Sequence, residues 1–130
     1  MKEITIVAKN EVGSLAVIAE GLGNVGVNIE AISAYEKDNH AFFRVLTNDV
    51  TTAVKAISKI PGMRVTESDI IILKMQNRPG ELGKITRKLA NKNISLEGLY
   101  IVGKAADFTD VAIKPVKSDF EKTREILNVK

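Results

Sequence analysis

The chain has 130 residues and a formal net charge of +3; hydrophobic residues make up 45% of it and charged residues 27%. This balance is typical of a soluble globular protein and excludes a disordered or fibrous chain. Cysteine is absent and His40 is the single histidine, so the sequence excludes disulfides, cysteine nucleophiles and histidine clusters for a metal.

The first half of the chain predicts the order strand, helix, strand, strand, helix, strand. β-Branched or alternating apolar runs predict the strands, and apolar residues at helical spacing predict the helices. The predicted elements are a strand at Glu3–Ala8, a helix from Ser14 to the turn Asn24–Gly26, strands at Asn28–Glu36 and Ala41–Thr47, a helix over 50–60 and a strand at Met63–Thr66. The polar run Glu67–Asp69 predicts a break between two units.

The second half predicts the same order without its last strand. Its predicted elements are a strand at Ile70–Met75, a helix at Glu81–Lys92, strands at Ser95–Val102 and Phe108–Val116, and a helix at about Ser118–Leu127. Only three residues follow that helix, too few for a fourth strand. We therefore predict two domains, at 1–68 and 69–130, of which the second lacks or borrows its last strand.

An internal repeat supports the division into two units. Asn10–Leu15 matches Asn77–Leu82 at an offset of 67 positions, and the match keeps its register as far as Glu30 and Glu97. The pattern predicts an α+β fold in which two tandem ferredoxin-like βαββαβ sandwiches each back a sheet with two helices. Units of this size bury little core alone, so we expect them to pair with each other or in a dimer.

The first strand-to-helix turn of each unit carries the residues best suited to binding. Gly13 and Gly80 allow the backbone to approach a ligand closely, and the N–H groups of the following helix can hold a carboxylate or phosphate. Asn10 and Asn77 offer amide donors and an acceptor, which suit a ligand that carries both ammonium and carboxylate. Alternatively, the glycines serve only the turn and the asparagines only cap or bridge it.

These motifs resemble the signature of the ACT domain, a regulatory module of amino-acid metabolism. The resemblance rests on Asn77–Leu82 followed by Asn93–Leu96, and on Asn10–Leu15 followed by Val25–Ile29. It implies a tandem pair of ACT domains that bind a small amino acid between domains, near the first strand–helix loop. It implies no catalytic residue, metal or cofactor. The ligand-binding residues that it implies are Asn10, Val12, Gly13, Leu15, Asn28, Asn77, Pro79, Gly80, Leu82 and Ser95.

Other candidate residues favour plainer explanations. His40 lies in a predicted hairpin turn without a paired acid or nucleophile, which favours an exposed turn residue over a catalytic base. The basic stripe Lys84, Arg87, Lys88 and Lys92 favours a solvated helix face over contact with an anion or nucleic acid. No apolar run reaches the ~18 residues of a membrane span, and the early charges do not suit a signal peptide. We expect a cytoplasmic protein without membrane or nucleic-acid partners.

The resemblance favours a stand-alone regulatory protein that binds a small amino acid at ACT domain interfaces and signals through association with a partner. A homodimer and an amino-acid biosynthetic enzyme are the expected partners. The alternative is a ligand-free regulatory or assembly subunit of such an enzyme. An acylphosphatase-like hydrolase on the same sandwich would need an arginine poised in the first loop, where Arg78 is followed by Pro79. We therefore expect a protein that is not an enzyme.

Overall fold

The computed structural model describes residues 1–129, and the chain divides into two compact units. The first unit is Lys2–Ser68, and the second unit runs from Asp69 onward and includes Met1. Within residues 1–129, no helix combines the length and the apolar character that crossing a membrane requires.

The first unit has the predicted βαββαβ order. Its elements are β1 at Lys2–Lys9, α1 at Ser14–Asn24, β2 at Ile29–Lys37, β3 at His40–Thr47, α2 at Val50–Ser58 and β4 at Arg64–Asp69. The four strands form one sheet in the order β2-β3-β1-β4, with β1 and β2 each antiparallel to β3. The fold class predicted from the sequence is confirmed.

The core of the first unit lies between one face of this sheet and its two helices. Alternate residues of β1, among them Ile4 and Ile6, join the same buried cluster as Ile18 of α1 and Ile57 of α2. Side chains alternate between the two faces of a sheet along each strand. The residues between these core positions, beginning with Thr5, therefore lie on the other face of the sheet. This face carries no helix of the unit, and we call it the helix-free face. This alternation assigns each residue of a regularly paired strand to one face of the sheet.

A charged pair on the helix-free face is also removed from solvent. The Glu3 side chain is fully buried, and its Oε1 accepts a hydrogen bond from Arg44 Nη1 at 3.2 Å. Burial alone would lower the pKa of Arg44, but its hydrogen bond to Tyr35 and the charge of Glu3 outweigh that effect and raise the pKa. The guanidinium therefore stays charged inside the fold.

A tight hairpin joins β2 to β3 and fixes their register. Asp38 and Asn39 both have positive φ, 53° and 63°, as a type I′ turn requires, and Asn and Asp tolerate this conformation. Lys37 and His40, which flank the turn, are partners across the two strands. The register stays constant from this turn as far as the pair Ala31 and Leu46, beyond which an irregularity in β2 shifts it by one residue.

The second unit repeats this arrangement with one strand fewer. Its elements are β5 at Ile71–Gln76, α3 at Glu81–Asn91, β6 at Leu96–Lys104, β7 at Phe108–Pro115, a 3-10 turn at Lys117–Asp119 and α4 at Phe120–Leu127. The described residues form a three-stranded sheet in the order β5-β7-β6. This confirms the expectation that the second sandwich lacks or borrows its last strand.

The structure corrects one local prediction, the polar break at Glu67–Asp69. Strand β4 begins at Arg64 and continues through these three residues to Asp69. It lies at the edge of the sheet beside β1, which supplies partners for its backbone. An edge strand can also turn polar side chains to water, so pairing outweighs the low strand propensity of these residues.

Candidate functional site

The loop between β1 and α1 is held in place by its own residues. Gly13 has a φ of +95° and precedes the first residue of α1, a backbone conformation that favours glycine strongly. The hydroxyl of Ser14 donates to the carbonyl oxygen of Glu11 at 3.0 Å and lies 3.2 Å from that of Lys9. The first turn of α1 therefore begins at a defined position.

The same loop is tied to the β2–β3 hairpin. The backbone N–H of Asn10 donates to the carbonyl oxygen of Asn39 at 3.0 Å. Glu36 Oε1 accepts a hydrogen bond from the N–H of Asn39 at 3.3 Å. These contacts bring the end of β2 to the β1–α1 loop.

An open groove of about 600 Å³ lies between this loop, α1 and the end of the sheet. Its polar groups come from the loop and from Glu36, and its apolar walls are mostly small side chains. The residues that line it are Asn10, Glu11, Gly13, Ser14, Leu15, Ala16, Ala19, Ala34, Tyr35, Glu36, Ala41 and Phe43. We call this cavity the α1 groove.

The structure brings three of the five residues predicted for the first unit to the α1 groove, namely Asn10, Gly13 and Leu15. Val12 is fully exposed and lies outside its lining. Asn28 precedes β2, about 26 Å along the strand from Glu36 at roughly 3.3 Å per residue. Its backbone N–H donates to Asn48 Oδ1 at 3.0 Å, so Asn28 belongs to the other end of the sheet.

The sequence did not indicate the residues that β2 and β3 contribute to this groove. Ala34 pairs with Phe43 and Glu36 pairs with Ala41, which places all four on the face that carries the helices. The strand register determines which residues of β2 and β3 lie at the groove, and the internal repeat contains no motif that indicates them. The hairpin signal at Asp38-Asn39 was the available clue, since it fixes the register.

The second unit repeats the turn but uses its asparagine differently. Gly80 again precedes its helix with a positive φ, of 88°. The Asn77 side-chain amide donates to the carbonyl oxygen of Ala105 at 2.9 Å, and the Asn77 backbone N–H donates to that of Asp107 at 2.9 Å. Asn77 therefore ties its loop to the β6–β7 connection with side chain and backbone alike.

Charged side chains also form ion pairs at the β5–α3 loop of the second unit. Glu81 Oε1 lies 2.6 Å from Arg78 Nε and 3.2 Å from Lys84 Nζ. The hydrogen bond from Arg78, followed by that from Lys84, holds the pKa of Glu81 below its ordinary value. The two loops share a backbone shape and differ in the groups that they leave available.

The remaining residues predicted for the second unit are spread along it. Pro79 is exposed in the loop and Leu82 is half-buried in the first turn of α3. Ser95 precedes β6, and its carbonyl oxygen accepts a hydrogen bond from the Val116 N–H at 3.0 Å. Among the described residues, no group of three or more acidic or histidine side chains is placed to hold a metal ion.

Solved structures with the same fold cover almost the whole chain. A protein from Bacteroides thetaiotaomicron is 24% identical with a TM-score of 0.86, over 98% of this chain and 85% of that one. The ligand-free regulatory subunit of aspartate kinase from Thermus thermophilus is 14% identical with a TM-score of 0.68, over 98% and 89%. The corresponding subunit from Thermus flavus is 15% identical with a TM-score of 0.64, over 98% and 90%. At these identities the likeness establishes the fold.

No curated protein matches the chain in a sequence comparison. The family model described as an ACT domain pair matches residues 1–128. This match spans both units, including the two glycine turns at Gly13 and Gly80 and all the strands described above. The chain therefore belongs to the ACT domain pair family.

Proposed function

We propose that this ACT domain pair is a regulatory protein that binds a small amino acid in the α1 groove of its first unit. The observation that carries this proposal is the contrast between the two equivalent asparagines. Within residues 1–129, the Asn10 side chain has no hydrogen-bond partner, whereas the Asn77 amide already donates to Ala105. Asn10 is thus available to a ligand at a preformed loop.

The groups around the α1 groove suit the two charges of an amino acid. The first-turn N–H groups of Leu15 and Ala16 have no acceptor among the described residues, and a helix N-terminus favours a carboxylate. The Glu36 carboxylate lies in the same lining and can accept hydrogen bonds from an ammonium. Ala19 and Ala34 leave space for a side chain of modest size.

The open groove favours a ligand that is covered by a second domain. Leu15 of α1 and Ile32 of β2 are exposed by 46% and 40%. Ile32 pairs with the core residue Val45, so both lie on the helix side of the sheet and form an apolar rim suited to contact with another surface. Homodimerisation would cover this rim. The resemblance implies ligands bound between domains, so Asn28 and Ser95 would contribute to a site only from another domain.

A ligand at such an interface regulates by stabilising one assembly state over another. It shifts the equilibrium by its differential affinity for the two states. A regulatory, non-catalytic role is consistent with the family and with the aspartate kinase regulatory subunits that share the fold. The proposed output is altered association with an enzyme of amino-acid metabolism.

A thermal-shift and calorimetric screen of the natural amino acids on the purified protein tests this function. A true ligand at about 100 times its Kd should raise the free energy of unfolding by roughly 2.7 kcal/mol. The Asn10→Ala variant should weaken binding about tenfold, the loss expected for a hydrogen bond to a charged ligand. Asn77→Ala is the matched control and should retain affinity. No response to any amino acid, or equal losses in both variants, would contradict the proposal.

The exposed apolar rim favours one alternative, a ligand-free assembly subunit. In that case Leu15 and Ile32 form a permanent protein–protein contact, and amino acids have no effect on stability or assembly. The amino-acid screen, combined with sedimentation measurements of the assembly state, distinguishes the two functions. Stable self-association without any amino-acid response would favour the assembly subunit.

A further inference from the structure

A row of basic residues crosses the whole sheet of the first unit. Strand register pairs Lys9 of β1 with His40 of β3, and His40 with Lys37 of β2. Lys9 follows the helix-facing Ala8, and its strand partners His40 and Lys37 lie next to the helix-facing Ala41 and Glu36. All three therefore lie on the helix-free face. Arg64 begins β4 and lies between Met63 and Val65, both packed against the core, so Arg64 is on this face as well.

The order of the strands makes the row continuous. Because the sheet runs β2-β3-β1-β4, it presents Lys37, His40, Lys9 and Arg64 in that order. Neighbouring strands are about 4.8 Å apart. Every strand of the sheet therefore contributes one basic residue to the same end of the same face.

Three members of the row line a groove of about 630 Å³. This groove shares no lining residue with the α1 groove. Lys9, His40 and Arg64 supply its charge or potential charge, and Val7 and Met63 supply apolar surface. All three basic residues are exposed. We call this cavity the basic groove.

The nearby acidic groups leave most of this charge without a counter-charge. Lys9 Nζ lies 3.8 Å from Glu11 Oε1, with both side chains largely exposed. Asp38, in the hairpin turn, contributes its backbone carbonyl to the row, at 2.9 Å from His40 Nδ1. Within residues 1–129, Lys37, His40 and Arg64 form no ion pair. Lys37 and Arg64 therefore keep a positive charge without an ion-pair partner among the described residues, beside the loosely paired Lys9, and a bound anion would supply the missing counter-charge.

We propose that the basic groove binds the phosphate group of a small phosphorylated molecule. A phosphate carries close to two negative charges and three acceptor oxygens, which suits several cationic donors converging from adjacent strands. Arg64 can engage two oxygens at once and Lys9 a third. Since a carbonyl only accepts, His40 donates through Nδ1 to Asp38, and its Nε2 becomes a further donor on protonation.

The site does not depend on the proposed amino-acid function. The α1 groove uses Asn10, Gly13 and Glu36, whereas the basic groove uses none of them. Asn10→Ala should therefore leave phosphate binding unchanged. Failure of one proposal is distinguishable from failure of the other.

The single histidine makes the test direct. Inorganic phosphate is titrated into the full chain at fixed near-neutral pH, and the His40 ring C2–H resonance is followed by NMR, with chloride at equal ionic strength as reference. Binding should move the resonance towards the position of protonated imidazole in a saturable manner, because a bound anion favours the charged ring. A resonance that responds equally to chloride, or not at all, overturns the proposal.

Matched variants show whether the response belongs to the basic groove. Arg64→Gln and Lys9→Gln should each raise the Kd for phosphate about tenfold, the loss expected for a charge-assisted hydrogen bond. Arg87→Gln and Lys88→Gln make the same charge changes at exposed positions on α3 and should leave the Kd unchanged. Equal weakening in all four variants would indicate diffuse attraction to a basic protein and would contradict the site.

Discussion

Gly13 shows how much of the candidate site depends on the backbone of one residue. An added Cβ would meet no atom within 4 Å, and φ is +95°, so alanine there introduces conformational strain without a steric clash. Gly23 lies inside α1, also with open space at its Cβ. The two positions therefore separate the effect of the turn from the effect of removing a glycine.

We expect Gly13→Ala to lower the free energy of unfolding by about 1–2 kcal/mol, because the left-handed region disfavours a Cβ. Gly23→Ala, the control, should raise it by about 0.5–1 kcal/mol, since alanine has the higher helix propensity and loses less entropy on folding. Urea denaturation of both variants measures the difference. Similar effects of one sign at both positions would contradict the role assigned to Gly13.

At the scale of single elements, α2 depends on a charged N-cap. Asp49 Oδ1 accepts from the Thr52 N–H at 3.1 Å, and Oδ2 accepts from the Thr52 hydroxyl at 2.7 Å. The side-chain hydrogen bond to Thr52, followed by the backbone one, lowers the pKa of Asp49 below its ordinary value. The charged form is thus favoured in the folded state.

Because the folded-state pKa of Asp49 is depressed, its stabilisation is present above the ordinary carboxyl pKa and is lost as pH falls through the folded value. Asp49→Asn keeps a capping acceptor but removes the titration. The Tm advantage of the natural protein over this variant should shrink as pH falls from about 7 to about 3. Calorimetry at several pH values measures it, and a constant difference would show that the charge of Asp49 is immaterial.

Helix α1 and strand β4 show which features local sequence patterns predict and which they miss. Hydrophobic periodicity predicted α1 although Gly21 and Gly23 lie within it, because burial of Ile18 and Leu22 outweighs their low propensity. The same reasoning ended the first unit's last strand at Thr66, whereas β4 reaches Asp69. Pairing with a neighbouring strand is not local, so side-chain polarity alone misplaced that boundary.

For the molecule as a whole, the exposed rim of the α1 groove predicts self-association. The protein should sediment as a dimer of its 14.2 kDa chain, with the apolar rim buried between copies. Leu15→Glu should shift it towards monomer, because a charge at the rim would be desolvated without a partner.

Val25→Glu is the matched control for this prediction. Val25 is exposed by 46%, as Leu15 is, but it follows the opposite end of α1 and lies outside the groove. Its variant should remain dimeric in sedimentation velocity experiments. A monomeric natural protein, or the same shift in both variants, would contradict a dimer formed through the rim.

Local sequence patterns predicted the order of strands and helices, the duplication and the two glycine turns, because periodicity and the backbone freedom of glycine act within a few residues. They also indicated Asn10 and Gly13 as parts of a site. The residues of distant strands that lie beside them are known from the folded chain alone. Strand register places Glu36 near Asn10 and Asn28 at the far end of β2, and it aligns Lys37, His40, Lys9 and Arg64 across one sheet. The Asp38-Asn39 turn encodes the β2–β3 register locally, but β1 pairs with strands that are distant in the sequence, and no local pattern encodes those pairings.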